Sequence, residues 1–246
     1  MARVTPPNRL ADIAEAARKV FTEKGYRRTL MTDVGSELGL SHALLYKFVE
    51  SKEALFQLAL LGAAAPDRLA ELPTPLPTPA PGETLKPLAD WTAGNTSFPF
   101  IKAALTTDAC ADIRAEFHGV VDEYYSAIED NRELLALLER SAADLPDLRE
   151  LYFGKSRRGQ VDMLVEYVER RSRSGYLRTF PDAALATQFI VETVAWFAWH
   201  RRDHPDPIDA DDRVVRRSVQ RLLAAACIPD VVASDTGPIG EGRSAR

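Results

Sequence analysis

The chain has 246 residues and a net charge of −5, enough length for two cores and the wrong sign for a partner held by bulk positive charge. Its two cysteines, Cys110 and Cys227, form no CxxC motif, which excludes a disulfide framework and predicts free thiols in a reducing compartment. The most apolar run, residues 183–199, is interrupted by Thr187, Gln188, Glu192 and Thr193, and nothing signal-like stands at the N-terminus, so a cytoplasmic protein with no membrane partner is expected.

The first predicted helix runs from Asn8, a plausible cap, to Gly25, with Leu10, Ile13, Ala14, Ala17, Val20 and Phe21 at helical spacing. Residues 29–53, TLMTDVGSELGLSHALLYKFVESKE, then read as two short helices around a glycine turn, followed at once by a third. The first of these starts after Thr29, whose hydroxyl can cap free N–H groups, and places Val34 and Leu38 on one inward face. Gly39 ends it, since glycine enters the left-handed region without a Cβ clash; Leu40 plugs the angle, and Gly35 sits where crossing helices need a small residue. Ser41 caps the second helix, His42 to Val49, which turns Leu45 and Val49 inward and leaves His42, Ala43, Leu44, Tyr46 and Lys47 outside. This is the layout of a helix-turn-helix, a device for entering the DNA major groove.

The acidity lies elsewhere. Residues 1–56 hold nine Lys or Arg against seven Asp or Glu, a net of +2, whereas the remainder holds 22 against 29, a net of −7. Affinity for double-stranded DNA would then rest on a few placed contacts multiplied by dimerisation. Tyr46 and Lys47 can both donate to phosphate, and Lys52 falls in the first turn of the next helix, where the dipole favours an anion. Arg3, Arg9, Arg27 and Arg28 can add contacts or serve only as solubility charge.

The run from IAEAARKVFTEKGY through TLMTDVGSELGLSHALLYKFVESKEALF, roughly residues 9 to 57, resembles the N-terminal domain of the TetR family of one-component transcriptional regulators. The resemblance implies that Thr29, Tyr46 and Lys52 grip backbone phosphates. Base reading then falls to His42, Ala43, Leu44 and Lys47, where His can donate to a purine acceptor and Ala and Leu can meet thymine methyls. Leu44 departs from the small or hydroxylated residue frequent in the family, which bears on base preference, and Phe48-Val49 replaces a frequent His-Phe pair.

The remainder reads as helical, giving an all-α chain: residues 1–56 a three-helix DNA-binding domain, 57–228 a helical effector-binding and dimerisation domain, and 229–246 a disordered tail. A connecting helix from Ser51 to about Ala65 precedes a proline-rich linker, Pro66 to Gly82, read as a plain connection. Short helices are expected at Leu85–Ala93 and Pro99–Thr106, and longer ones at Asp112–Glu129 and Leu134–Ala142. The Asn95-Thr96-Ser97 triplet fits a glycosylation pattern and is set aside for want of a secretory signal. A long helix from Pro146 to about Gly175 should bend at Gly154. Residues 183–199, apolar on nearly every side, and Asp211–Cys227, with Val215, Val219, Leu222, Leu223 and Ala226 on one face, can supply two helices of a four-helix homodimer bundle, as the resemblance implies.

The resemblance also implies a small-molecule effector in the helical domain that shifts two reader heads out of register with a near-palindromic operator, making the chain a ligand-responsive repressor. Among the aromatics, Phe117, Tyr124 and Trp196 are the residues placed at such a pocket, though each such aromatic is more often a core residue. His200 and His204, four apart near Asp203 and Asp206, have metal-ligand spacing, but Pro205 and Pro207 should end the helix there, so no metal is expected. No phosphate-binding glycine loop, nucleophile elbow or acid–base carboxylate pair is found, so neither catalytic residues nor a cofactor are expected and the chain is not read as an enzyme. The alternative is an all-helical dimeric module that binds a small molecule or protein and whose helix-turn-helix no longer contacts DNA.

Overall fold

The structure is a computed structural model that describes residues 9–95, 98–206 and 209–230. Expectations for Asn8, Arg3, the Thr96-Ser97 pair, Pro207 and the tail beyond Asp230 lie outside the described residues. Every regular element among them is helical, and the extended pairing is limited to an isolated parallel bridge between Val49 and Leu76, so the chain is all-α. It divides into two compact units, one made of residues up to Ser97 together with Ala127–Gln160, the other of Phe98–Ser126 with the residues from Val161 onward.

The first unit is built on α1 (Arg9–Lys24) and α4 (Lys52–Ala64). Ile13, Ala17, Val20 and Phe21 of α1 are buried, as are Leu55, Phe56, Leu58 and Ala59 of α4, each large side chain contributing about 1.5–3 kcal/mol. The helices approach closely because Gly62 faces Ala14: a Cβ on Gly62 would lie 2.8 Å from the Ala14 Cβ. Phe56 is met edge-on by Phe21 and Tyr26, each with ring centroids 5.0 Å away. The helix-turn-helix, α2 (Met31–Glu37) and α3 (His42–Leu45), buries Met31, Val34 and Leu45. A 3-10 turn, Pro66–Glu71, and α5 (Lys86–Asn95) complete this portion. The expected domain boundary at residue 56 falls inside α4, which runs through it unbroken.

Its later portion brings α8 (Arg132–Ala142) and α9 (Pro146–Arg149). Leu134, Leu135, Leu137 and Leu138 bury one stripe of α8, which packs against α1 and α4. Asp144, just beyond α8, accepts from the Arg27 amide at 2.8 Å and lies where a Cβ on Gly25 would come within 3.0 Å. Gly25 also holds φ +82, so it is doubly required at the end of α1. The predicted helix from Pro146 to Gly175 is broken into three pieces: α9, a π-helical stretch Glu150–Arg157 and α10 (Arg158–Arg173). Gly154 lies in the π stretch, where a Cβ would strike the Glu150 carboxylate.

The second unit packs α6 (Pro99–Ala104), most of α7 (Ile113–Asp130), α10, α11 (Ala183–Ala198) and α12 (Asp212–Cys227). Asp112, Asp182 and Asp211 cap α7, α11 and α12 by accepting from backbone amides. The core includes Phe117, Val121, Tyr125, Tyr167, Val191, Val194 and Val219. Asp122 accepts from both Arg216 and Gln220 at 2.7 Å, and the Tyr125 hydroxyl donates to the Phe197 carbonyl, tying α7 to α11 and α12. Arg171 is fully buried, its guanidinium donating to both Glu116 carboxylate oxygens and to the carbonyls of Ala104, Thr107 and Asp108. Burial alone would lower its pKa, but the Glu116 carboxylate more than offsets this and raises it.

On α12 the buried residues are Val215, Val219, Leu223, Ala224 and Cys227, whereas Leu222 and Ala226, grouped with Val215, Val219 and Leu223 on one face by the sequence, are exposed in the single chain. The stripe follows steps of four, and a residue one position off it rotates by about 100°. Leu185 and Phe189 of α11 and Leu222 of α12 stay 66–70% exposed. No helix of the described residues is long and apolar enough to cross a membrane.

Candidate nucleic-acid interface

The helix-turn-helix is fixed at both of its joints. Gly39, at φ +63, turns the chain out of α2, and the Leu40 amide donates back to the Gly35 carbonyl at 2.8 Å. A Cβ on Gly35 would lie 3.1 Å from the Leu40 carbonyl oxygen, which explains the small residue there. Ser41 caps α3 by accepting from the Leu44 amide, and Ser51 caps α4 by accepting from the Ala54 amide. Regular α-helix covers only His42–Leu45, shorter than the expected His42–Val49; beyond it the Lys47 and Phe48 amides bond three residues back, a tighter turn that still carries Leu45 and Val49 inward.

His42, Ala43, Tyr46 and Lys47 are exposed and Leu44 is half-buried. The His42 and Tyr46 rings meet edge to face at 4.8 Å, so each restrains the other's direction on this surface.

Two sequence assignments change. Thr29 does not cap α2, because its buried hydroxyl donates to the Gly25 carbonyl at 2.8 Å and cannot reach outward to a phosphate. The N-cap is Leu30, whose side chain has no acceptor; Asp33 serves instead, accepting from the Leu30 amide at 2.8 Å and pairing with Lys24 at 2.8 Å. Those hydrogen bonds, that from Lys24 foremost, hold the Asp33 carboxyl below its usual range. Lys52, expected to be a free phosphate donor, bends over the Tyr26 ring at 4.7 Å and donates to the Arg27 carbonyl at 3.1 Å. Desolvation there lowers its pKa despite the nearby Glu53, Asp144 and Asp33 carboxylates. One of its three protons is thus already committed. Tyr26 is pushed up to about 12 by burial and by Glu53.

In the helical unit Phe117 and Tyr124 line one apolar cavity with Leu164, Tyr167, Thr187 and Ile190. Trp196 is not among its walls, and instead meets Phe197 edge to face with His204 tilted nearby. The void measures about 10 Å³, close to the room one water needs. Thr187, which the sequence reading missed, is fully buried, and its hydroxyl finds no partner among the described residues. Spacing could have found it, since Thr187, Ile190, Val191 and Val194 share one face of α11.

His200 and His204 part company beyond α11: His200 stacks on Trp199, while the ring of His204 accepts from the Asp206 amide. Among the described residues no group of three His, Cys, Asp or Glu could hold a metal. Burial pushes the Cys110 and Cys227 thiols up to about 11, keeping both protonated.

Residues 13–59 match the family model described as bacterial regulatory proteins, tetR family. No curated protein matches the sequence. Solved structures of the same fold include the ketosteroid transcriptional regulator KstR2 of Mycobacterium tuberculosis, at 19% identity and TM-score 0.56 over 90% of this chain and 96% of that one. Another is AibR in complex with isovaleryl coenzyme A and operator DNA, at 15% identity and TM-score 0.51 over 87% and 97% of the two chains. A transcriptional regulator from Saccharomonospora viridis in complex with choline is similar at 14% identity and TM-score 0.51, over 90% and 98%. Residues 13–59 of this chain are thus similar to the helix-turn-helix segment of the tetR family of bacterial regulatory proteins, and the whole chain shares the all-helical fold of these solved structures.

Proposed function

We propose that the chain is a homodimeric repressor whose two reader heads occupy a near-palindromic operator and are released by a small-molecule effector, acting in the cytoplasm by binding and not by catalysis. The observation that carries this reading is the exposed row His42, Ala43, Tyr46 and Lys47, presented by a helix locked from behind by Leu45 and Val49. In it Tyr46 and Lys47 hold phosphates and His42, Ala43 and Leu44 meet base edges, with half-sites about one helical turn, ~34 Å, apart. Lys52 contributes chiefly by fixing the turn before α2, and Thr29 by bracing the same turn from inside.

Dimerisation is ascribed to the exposed apolar side chains of α11 and α12, Leu185, Phe189, Val214 and Leu222, which a second copy would cover. The effector is ascribed to the cavity at Phe117 and Tyr124, whose apolar walls and unpaired Thr187 hydroxyl suit a largely apolar molecule carrying one polar group. Occupancy requires the small void to open, and a preference for the opened form by a few kcal/mol suffices to shift the heads. The small molecules bound by AibR and by the Saccharomonospora viridis regulator are consistent with a ligand in a fold of this kind.

Enrichment of random duplex DNA on the purified full-length protein tests the reading, beside a Tyr46→Ala, Lys47→Ala double variant. A near-palindrome recovered by the intact protein alone is the expected result. No recovered motif, or equal recovery by the variant, would move the assignment to a helical binding module that no longer uses its reader helix.

A further inference from the structure

The proline-rich segment, read from sequence as a plain connection, is docked on the end of the reader helix. The Leu76 amide donates to the Phe48 carbonyl at 2.7 Å, and the Glu50 amide returns a bond to the Leu76 carbonyl at 3.0 Å. The Thr78 amide donates to the Glu50 carboxylate at 3.0 Å, so three bonds clasp residues 48–50. Gln57 of α4 secures the far end by donating to the Glu83 carbonyl at 3.0 Å.

The sequence explains why this stretch can act as a strap. Prolines stand at every second position from Pro73 to Pro81, and along the extended stretch 76–79 Pro77 and Pro79 fall on one side while Leu76 and Thr78 fall on the other. Pro75 and Pro77 have no amide proton, which leaves Leu76 as the donor of that triplet and fixes its register. Proline also restricts the unbound chain, so less entropy is lost on docking. Leu76 is buried while Pro73, Pro75 and Pro77 remain exposed. The Phe48 carbonyl ends a helical turn, where no intrahelical donor follows, and the strap provides one.

We infer that Leu76 is a positioning residue for DNA recognition: the strap fixes residues 48–50, and thereby the pitch at which Tyr46 and Lys47 leave the reader helix. Base reading depends on that pitch, whereas sequence-independent phosphate contact tolerates small rotations. The inference rests on the DNA-binding reading above.

The test compares wild type, Leu76→Ala, Leu76→Ile and Glu50→Ala as full-length protein, on the selected operator and on a scrambled duplex at one salt concentration. Leu76→Ala should weaken operator binding about tenfold while scrambled-duplex binding changes less than about twofold, the scale of one lost base contact. Leu76→Ile should restore most of the loss, and Glu50→Ala, which removes only the surface clasp, should fall between. Amide exchange without DNA should show Leu76 and Glu50 protected in wild type and faster in Leu76→Ala. Equal losses on both duplexes, or unprotected amides in wild type, would overturn the positioning role alone. A wild type with no DNA affinity would overturn the DNA reading and the positioning role with it.

Discussion

Glu116→Gln should be one of the most destabilising conservative substitutions in the chain. Arg171 is 0% exposed, and its Nε and Nη2 donate to Glu116 at 2.7 and 3.0 Å. An amide in that position keeps the shape but leaves the guanidinium charge buried without its counter-charge, which costs about 3–5 kcal/mol. For a chain of this size that corresponds to a fall in melting temperature of roughly 6–20 °C. Arg171→Met should cost more, because the Ala104 carbonyl, buried and bonded at 2.6 Å, is then stranded at about 1–3 kcal/mol beyond the orphaned Glu116. The Thr107 and Asp108 carbonyls lie nearer the surface and can recruit water. The assay is urea unfolding followed by circular dichroism, at equal protein concentrations because the midpoint of the proposed dimer would depend on concentration. A loss below about 1 kcal/mol for Glu116→Gln would refute the view that this pair anchors the segment between α6 and α7.

Gly119→Ala should displace the exposed Phe100 ring, whose Cζ would lie 2.3 Å from the new methyl, and with the helix-propensity gain of Ala in α7 should change stability by less than about 1 kcal/mol in thermal melts, whereas a larger loss would show that the ring cannot swing aside. Phe189→Glu with Leu222→Glu should yield a folded monomer with weakened operator binding, read by analytical ultracentrifugation; an intact dimer would remove α11 and α12 from the interface. Because the folded state holds the Asp33 pKa below its ordinary value, its contribution to stability is present above ~3.9 and is lost as pH falls through the lower folded value. Melting temperatures of wild type and Asp33→Asn should therefore differ at pH 7, begin to approach each other near ~pH 4 and converge only below the lower folded pKa, whereas a gap independent of pH would contradict the linkage.

The reader helices were legible because each rests on local chemistry: Gly39 at a positive φ, Ser41 and Ser51 as caps, Leu45 and Val49 four apart. What escaped depends on partners distant in sequence. Thr29 looks like a cap until the Gly25 carbonyl is seen to take its hydroxyl, and Lys52 looks free until Tyr26 and Arg27 close over it. Trp196 shares the aromatic character of Phe117 and Tyr124 but not their direction, since composition does not say which way a helix is rotated. Arg171 could have been found, because Leu164, Val168 and Arg171 continue one apolar stripe and place a cation on the buried face of α10. The proline-rich strap could not, as its docking depends on one carbonyl at the end of a helix 28 residues earlier, between Phe48 and Leu76.

The compact unit that carries the helix-turn-helix takes residues from two stretches of chain, up to Ser97 and again from Ala127 to Gln160. Transplanting a reader head by cutting after residue 56 would divide α4 and strip α1 of the leucine stripe of α8, along with the Asp144 bond to Arg27. Chimeric regulators made from this chain should therefore retain specificity only when both stretches travel together. Under the proposed function, an operator preference would transfer as a two-part cassette and not as an N-terminal module.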